Sequence, residues 1–254
     1  MNTEAFPRPV ALIAGVAGGI GSDVARRLDA AGWCVAGYGR NAEKLAVLQA
    51  ELPGLHTIIA DATRPDEVEA AVQSTLARFG RLDAYVHAVG SILIKPAHLT
   101  KIDEWQRVID LNLNSAFYGV KSAVGPMQAQ GNGAIVLISS VAAQAGLPSH
   151  DAIAAAKGGV NGLVLAAAAS YAGKAIRINA VAPGLVDTPL AAGLLGSEQA
   201  RQFSEKMHPL GKIGRPANIG SLIAWLVSPD ADWVTGQIWS VDGGMAHVRP
   251  RPKV

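Results

Sequence analysis

Short apolar runs alternate with longer stretches in which apolar positions recur at helical spacing, and the alternation begins at the N-terminus. Val10–Ala14, Cys34–Gly37, Thr57–Ala60, Ala84–His87, Ile135–Ile138, Ile176–Val181 and Gln237–Val241 read as strands. Most of them are apolar at successive positions rather than every second one, as strands covered on both faces are. Between them Ile20–Ala31, Ala42–Leu52, Pro65–Phe79, Asp103–Gln128, Asp151–Tyr171 and Pro216–Val227 read as helices. This order predicts an α/β fold, a doubly wound parallel sheet with right-handed crossovers. No Pro/Gly/Ser linker or charge block divides the chain, so residues 1–254 are expected to form a single domain. The least regular stretch, Asp187–Gly214, carries Pro189, Gly193, Gly196 and a polar helix-like run, Ser197–Met207. It reads either as a lid over a site or as a surface helical hairpin.

Composition narrows the setting. Half of the residues are apolar, and the formal net charge is +2 with the charges scattered. That suits a large core and shows no nucleic-acid or membrane footprint. The short basic tail within residues 246–254 (Arg249, Arg251, Lys253) reads as a solvated terminus. A lone cysteine, Cys34, rules out an internal disulfide and a Cys-based metal site. Residues Met1–Arg8 lack a basic-then-apolar signal pattern. The most apolar stretch, Gly162–Ala169, is far shorter than the roughly 20 residues of a membrane span. The expectation is a cytoplasmic protein with a small-molecule substrate and no nucleic-acid or membrane partner.

Candidate chemistry gathers at the C-terminal ends of the predicted strands. Ala14-Gly15-Val16-Ala17-Gly18-Gly19-Ile20-Gly21 follows the first strand and opens the first helix. Glycines there allow a tight turn and bring the backbone close to a pyrophosphate, which the helix N-terminus attracts. The second strand ends Gly39-Arg40-Asn41, without a carboxylate to hydrogen-bond two ribose hydroxyls. A guanidinium at Arg40 can grip a 2′-phosphate, so NADP(H) is favoured over NAD(H). The other reading leaves Arg40 facing solvent.

These motifs are joined by Ala60-Asp61-Ala62, His87-Ala88-Val89-Gly90, Asp110-Leu111-Asn112-Leu113, Ser139-Ser140, Lys157, Ala182-Pro183-Gly184-Leu185-Val186-Asp187-Thr188-Pro189 and Val241-Asp242-Gly243-Gly244. Together, from Val10 to about Met245, they resemble the short-chain dehydrogenase/reductase family. The resemblance implies a Rossmann fold that binds a nicotinamide dinucleotide. Its binding residues would be Gly15, Ala17, Gly19, Ile20, Gly21, Arg40, Asp61, Ala62, Ala88, Gly90, Lys157, Pro183, Gly184, Val186 and Thr188. Asn112, Ser140 and Lys157 would belong to the catalytic group. The Gly- and Ala-rich helix after Lys157 would pack across a two-fold axis in a homo-dimer or homo-tetramer. Two places depart from the family pattern. His87-Ala88 stands where Asn-Asn is usual, and His87 reads as a titrating group or as a structural histidine. Ile153 stands where the family has a Tyr one helical turn before the Lys.

The Ile153 side chain neither gives nor takes a proton. A positioned general acid is worth about 10²–10⁴-fold, whereas alignment of two reactants supplies roughly 7–11 kcal/mol. Slow hydride transfer therefore survives the loss of the Tyr. His150 is a candidate replacement. If the helix already includes it, residues 150, 153 and 157 share a face and the imidazole reaches over Ile153. Otherwise His150 is a loop residue at the helix entrance. Asp151 reads as the helix N-cap. The leading reading is an NADP(H)-dependent oxidoreductase, acting on a carbonyl/alcohol or activated C=C substrate with non-standard proton delivery. The alternative is a catalytically impaired dinucleotide-binding or regulatory protein.

Overall fold

A computed structural model describes residues 8–251. The end of the basic tail, residues 252–254, lies outside the described residues, as do residues 1–7. Among the described residues seven strands form one sheet: β1 Val10–Ala14, β2 Cys34–Gly39, β3 His56–Ile59, β4 Ala84–His87, β5 Gly133–Ile138, β6 Ile176–Pro183 and β7 Ile238–Val241. All pairings are parallel, in the order β3-β2-β1-β4-β5-β6-β7. The chain leaves β1 in one direction toward β2 and returns on its other side at β4. This reversal opens a crevice beyond the carboxyl ends of β1 and β4.

The α-helices that cover the sheet are α1 Gly19–Ala30, α2 Ala42–Glu51, α3 Pro65–Phe79, α4 Ile102–Ile109, α5 Ser115–Gln130, α6 Asp151–Tyr171, α7 Glu198–Met207 and α8 Pro216–Val227. Alternate residues of β1 enter different cores. Leu12 and Ala14 pack with Val68, Val120 and Val160 from α3, α5 and α6. Ala11 and Ile13 pack with Val24, Leu45 and Ile219 from α1, α2 and α8. Both faces of the sheet are therefore dry, which is why the strands are apolar at successive positions.

Three sequence expectations change. The single helix expected over Asp103–Gln128 is two helices joined by one π turn, Asp110–Asn114. A π turn inserts one residue into the helical ladder, and no side-chain periodicity marks it. Asp151 is not an N-cap: His150 holds that position, and Asp151 is the first helical residue, where its carboxylate meets the positive end of the helix dipole. Finally, Gly162–Ala169 understates the apolar stretch. The span Asp151–Lys174 contains an 18-residue window of mean hydropathy 1.5 and is long enough to cross a membrane by length and composition. Here α6 lies on the sheet, with Val160 and Val164 in the core and Lys157 buried.

The segment 187–214 contains a 3₁₀ stretch, Pro189–Leu194, and then α7. Ser197 caps α7 by accepting the Ala200 N–H at 3.1 Å. No residue of α7 is buried.

Candidate active site

The glycine turn after β1 forms one end of the crevice. Gly15 has φ of +71°, and a Cβ there would stand 2.8 Å from the Ala88 carbonyl oxygen. Only glycine fits both constraints. The α1 N-cap, Gly18, makes no side-chain cap, which leaves the first N–H groups of the helix open to an anion. Gly15, Ala17, Gly19, Ile20, Arg40, Asp61, Ala62, Ala88, Gly90 and Thr188 all line this cleft of about 310 Å³. Of the other expected residues, Lys157, Pro183 and Val186 line a chamber beyond it, and Gly21 and Gly184 line neither. Gly21 lies beneath the Gly15 carbonyl, where a Cβ would collide, so its absent side chain serves helix packing. Gly184 faces His208 Nε2 and the Asp242 backbone on the far side of its loop.

Arg40 is 69% exposed, with Nη1 3.6 Å from Asp61 Oδ2. Burial opposes the Asp61 charge, but the Thr63 N–H and hydroxyl, together with Arg40, hold its carboxyl below the usual range. Tyr38 and Lys44 are among the lining residues that the sequence does not single out. Lys44 sits in the first turn of α2, whose N-terminus Asn41 ties down by accepting the Lys44 N–H at 2.8 Å. Its place four residues after Arg40 was the available signal.

Beyond Gly90 the cleft leads to a chamber of about 140 Å³ lined by Asn112, Ser140, Ile153 and Lys157 on one side and Pro183, Val186 and Thr188 on the other. The π turn presents Asn112, fully buried. Its Oδ1 accepts the Ser91 N–H at 3.0 Å, and its Nδ2 donates to Ser91 Oγ at 2.9 Å and the Val108 carbonyl at 3.0 Å. Lys157 Nζ donates to the Ile138 carbonyl at 2.7 Å. Burial pushes its ammonium down to about 8. A Cβ on Gly90 would stand 2.8 Å from Asn112 Oδ1 and 3.5 Å from Lys157 Nζ, so the bare backbone keeps the path open between cleft and chamber. Ser140 Oγ accepts the Ala142 N–H at 3.1 Å, which leaves its proton for a ligand oxygen.

Ile153, 5% exposed, packs against Val108, Ala142, Ala152 and Ala156. It lines both the chamber and an adjoining cavity of about 660 Å³. His150 lines that cavity too, together with Ser140. Its Nδ1 lies 2.7 Å from the Pro148 carbonyl. A carbonyl only accepts, so Nδ1 carries the proton and Nε2 is the nitrogen left for the cavity. His150 is the N-cap of α6 and stands at the helix entrance, so it does not share a helical face with Ile153 and Lys157 as one reading of the sequence required; it lines one cavity with Ile153 and Ser140 all the same, with Lys157 across Ile153 in the chamber.

His87 is structural. It is fully buried, and burial, aided by the Lys157 charge, pushes its imidazole down to about 3. Ser115 Oγ donates to the Leu111 carbonyl at 2.7 Å and so accepts from His87 Nε2 at 3.0 Å. His87 Nδ1 then accepts from the Tyr85 hydroxyl at 3.0 Å, which in turn accepts from Tyr38 at 2.9 Å. Among the described residues no cluster of His, Cys, Asp and Glu is arranged to hold a metal.

A glycine-lined dinucleotide crevice ending at Asn112, Ser140 and Lys157 has counterparts among known proteins. The sequence profile of a family described as enoyl-(acyl carrier protein) reductase matches residues 15–246. A solved short-chain type dehydrogenase/reductase from Mycobacterium ulcerans superposes with a TM-score of 0.90 at 34% identity, covering 95% of this chain and 91% of that one. The chain belongs to the short-chain dehydrogenase/reductase family. It is therefore an oxidoreductase of that family, with a nicotinamide dinucleotide as cofactor. The chain is also 38% identical over 250 residues to the cis-4-hydroxycyclohexanecarboxylate dehydrogenase of Sinomonas cyclohexanicum, covering 96% of this chain and 99% of the relative. A variant of the actinorhodin polyketide ketoreductase, solved with NADPH, superposes with a TM-score of 0.91 at 30% identity, covering 95% of this chain and 98% of the other.

Proposed function

We propose that this short-chain dehydrogenase/reductase is an NADP(H)-dependent oxidoreductase that interconverts a secondary alcohol and a ketone, with His150 in place of the missing Tyr. The observation that carries the reading is the convergence of Asn112, Ser140 and Lys157 on one chamber at the end of the dinucleotide cleft. The uncapped α1 N-terminus, the bare Gly90 path and the cleft volume fit the dinucleotide. When bound, it supplies or accepts the hydride. Arg40, Lys44 and the α2 N-terminus hold a 2′-phosphate, and no carboxylate at the end of β2 repels it. The solved ketoreductase with NADPH is consistent with this preference.

Ser140 donates its free proton to the substrate oxygen and holds it. Lys157 is a buried cation on the cofactor side of Ile153, so it anchors and polarises but does not meet the substrate. His150, protonated on both ring nitrogens before the ketone is reduced, gives its Nε2 proton to the substrate oxygen, keeps the Nδ1 proton on the Pro148 carbonyl, and takes the Nε2 proton back when the alcohol is oxidised. The segment 187–214 is the lid of this site, since α7 flanks the cavity and buries nothing of its own. The protein works as a single-domain subunit of a cytoplasmic homo-oligomer, without nucleic-acid or membrane partners.

One set of titrations tests the reading. NADPH should bind at least tenfold tighter than NADH, and Arg40→Ala with Lys44→Ala should erase the difference without weakening NADH. Equal affinities in the unsubstituted protein would remove the NADP assignment. His150→Phe should lower ketone reduction by about 10²-fold or more at unchanged NADPH affinity. Full turnover in that variant would reject His150. Cofactor binding with no turnover of any ketone would leave the impaired binding protein that Ile153 suggests.

A further inference from the structure

The cavity of about 660 Å³ between α7 and Ile153 has a chemistry of its own. Its wall is largely aliphatic and aromatic, with Ile94, Leu147, Ile153, Phe203, Met207 and Met245 as its large members. Among the described residues no Lys, Arg, Asp or Glu lines it. Most of its polar groups are already satisfied. Ser197 Oγ accepts from Ala200, and Ser204 Oγ donates to the Ala200 carbonyl. His208 donates from Nδ1 to the Ser204 carbonyl at 2.7 Å and accepts the Leu185 N–H on Nε2 at 3.1 Å. Apart from Gln199 and the Ser197 hydroxyl proton, both on exposed residues, the polar capacity left over is the Ser140 proton and His150 Nε2, and these are the two groups assigned to the substrate oxygen.

From this lining we infer that the substrate is a neutral, lipophilic alcohol or ketone of about twenty non-hydrogen atoms, with its oxygen at the reacting end. The inference rests on the hydride-transfer reading for the position of that oxygen. Its remaining support is independent. A carboxylate or phosphate placed in the cavity away from His150 would lose its water and meet no Lys or Arg, a cost that disfavours it. This separates the chain from the relative that acts on a hydroxycyclohexanecarboxylate. Size gives the second limit. The volume of 660 Å³ equals about twenty water volumes, and so about twenty non-hydrogen atoms of ligand. A lone cyclohexanone, with about seven such atoms, leaves roughly two thirds of that space unfilled. Each further methylene buried there is worth about fourfold in affinity. The lid supplies a third argument. Phe203 on α7 lines the cavity yet is 66% exposed, so an apolar ligand completes the packing that α7 lacks.

Binding rather than turnover tests the inference. The full chain, saturated with NADP⁺, is titrated calorimetrically with three probes: a 3-oxo steroid, cyclohexanone and 4-oxocyclohexanecarboxylate. The steroid should bind at least a hundredfold tighter than cyclohexanone, and the carboxylate should bind more weakly than either. Phe203→Arg should weaken the steroid at least tenfold and improve the carboxylate. Its exposed position spares the fold, and unchanged NADP⁺ affinity verifies that. A carboxylate binding as well as cyclohexanone, or a steroid no better than cyclohexanone, would overturn the inference. Steroid binding without any turnover would uphold it and refute the hydride-transfer reading. Turnover of small ketones without steroid binding would do the reverse.

Discussion

At Lys157 function is set against stability. The ammonium is buried with a single carbonyl partner, and burial lowers it from 10.5 to about 8. The same group titrates near its ordinary value in the unfolded chain, so below pH 8 both states are protonated and the folded state bears the full cost of desolvation. Between pH 8 and 10.5 the folded state has released a proton that the unfolded state still holds. Stability of the cofactor-free protein therefore rises with pH across that window. The shift corresponds to roughly 3 kcal/mol. Lys157→Met should stabilise the cofactor-free protein by about that amount at pH 7, and by less than about 1 kcal/mol near pH 10. Urea unfolding of both proteins at the two pH values measures it. The window closes at pH 10 because the buried Tyr38 and Tyr85 phenols, both raised chiefly by burial, act in the opposite direction above it. A constant difference between the proteins would mean that Lys157 is not desolvated in the folded state.

The π turn at Asp110–Asn114 shows what an element contributes to the site. An α-helical register through this stretch would carry Asn112 away from Ser91; the extra residue turns its amide toward the Gly90–Ser91 path. The Leu111 carbonyl is held by Ser115, and Ser115 by His87, so a buried relay reaching Tyr38 braces the turn. Ser115→Ala leaves His87 Nε2 without its acceptor and should cost about 1–3 kcal/mol in urea unfolding. It should also speed amide hydrogen exchange at Ser91, whose N–H depends on Asn112. Ser170→Ala removes an exposed hydroxyl bonded in the same way to a carbonyl one turn back, and should stay within about 0.5 kcal/mol. Equal effects would deny the relay its role. The sequence disclosed the strands, the α/β alternation and most of the cleft, because apolar runs and glycine turns are local signals. It did not disclose the π turn, the relay or Lys44. The turn has no periodicity of its own, Tyr38 and His87 meet only through the sheet, and Lys44 reaches the cleft through the cap at Asn41. Gly184 and Gly21 line neither cleft nor chamber for the complementary reason: a motif fixes the backbone path and leaves open which side of it a residue faces.

On the scale of the whole molecule, two separate faces expose apolar surface. On the α5–α6 layer, Phe117 and Leu165 point outward, and a Cβ on Gly125, Gly158 or Gly162 would meet nothing. At the edge of the sheet β7 pairs, among the described residues, only with β6, and beside it Trp225 and Trp239 make an edge-to-face pair at 6.2 Å. Trp233, in the turn before β7, is 96% exposed. An unpaired edge flanked by exposed indoles invites association. A whole Trp buries about 150–250 Å², and with Trp233 96% but Trp225 and Trp239 only 36% and 37% exposed, three from each of two subunits supply roughly a third to a half of a standard interface of about 1,600 Å². One self-complementary face gives a dimer; two faces with different two-fold axes close as a tetramer. The protein should therefore sediment as a tetramer. Trp233→Lys with Trp239→Lys should leave a dimer held by α5 and α6, Leu165→Lys a dimer held at the β7 edge, and the combination a monomer. Analytical ultracentrifugation of the four proteins reads this directly. A monomeric starting protein, or a tetramer indifferent to the Trp substitutions, would show that the β7 edge is not an interface.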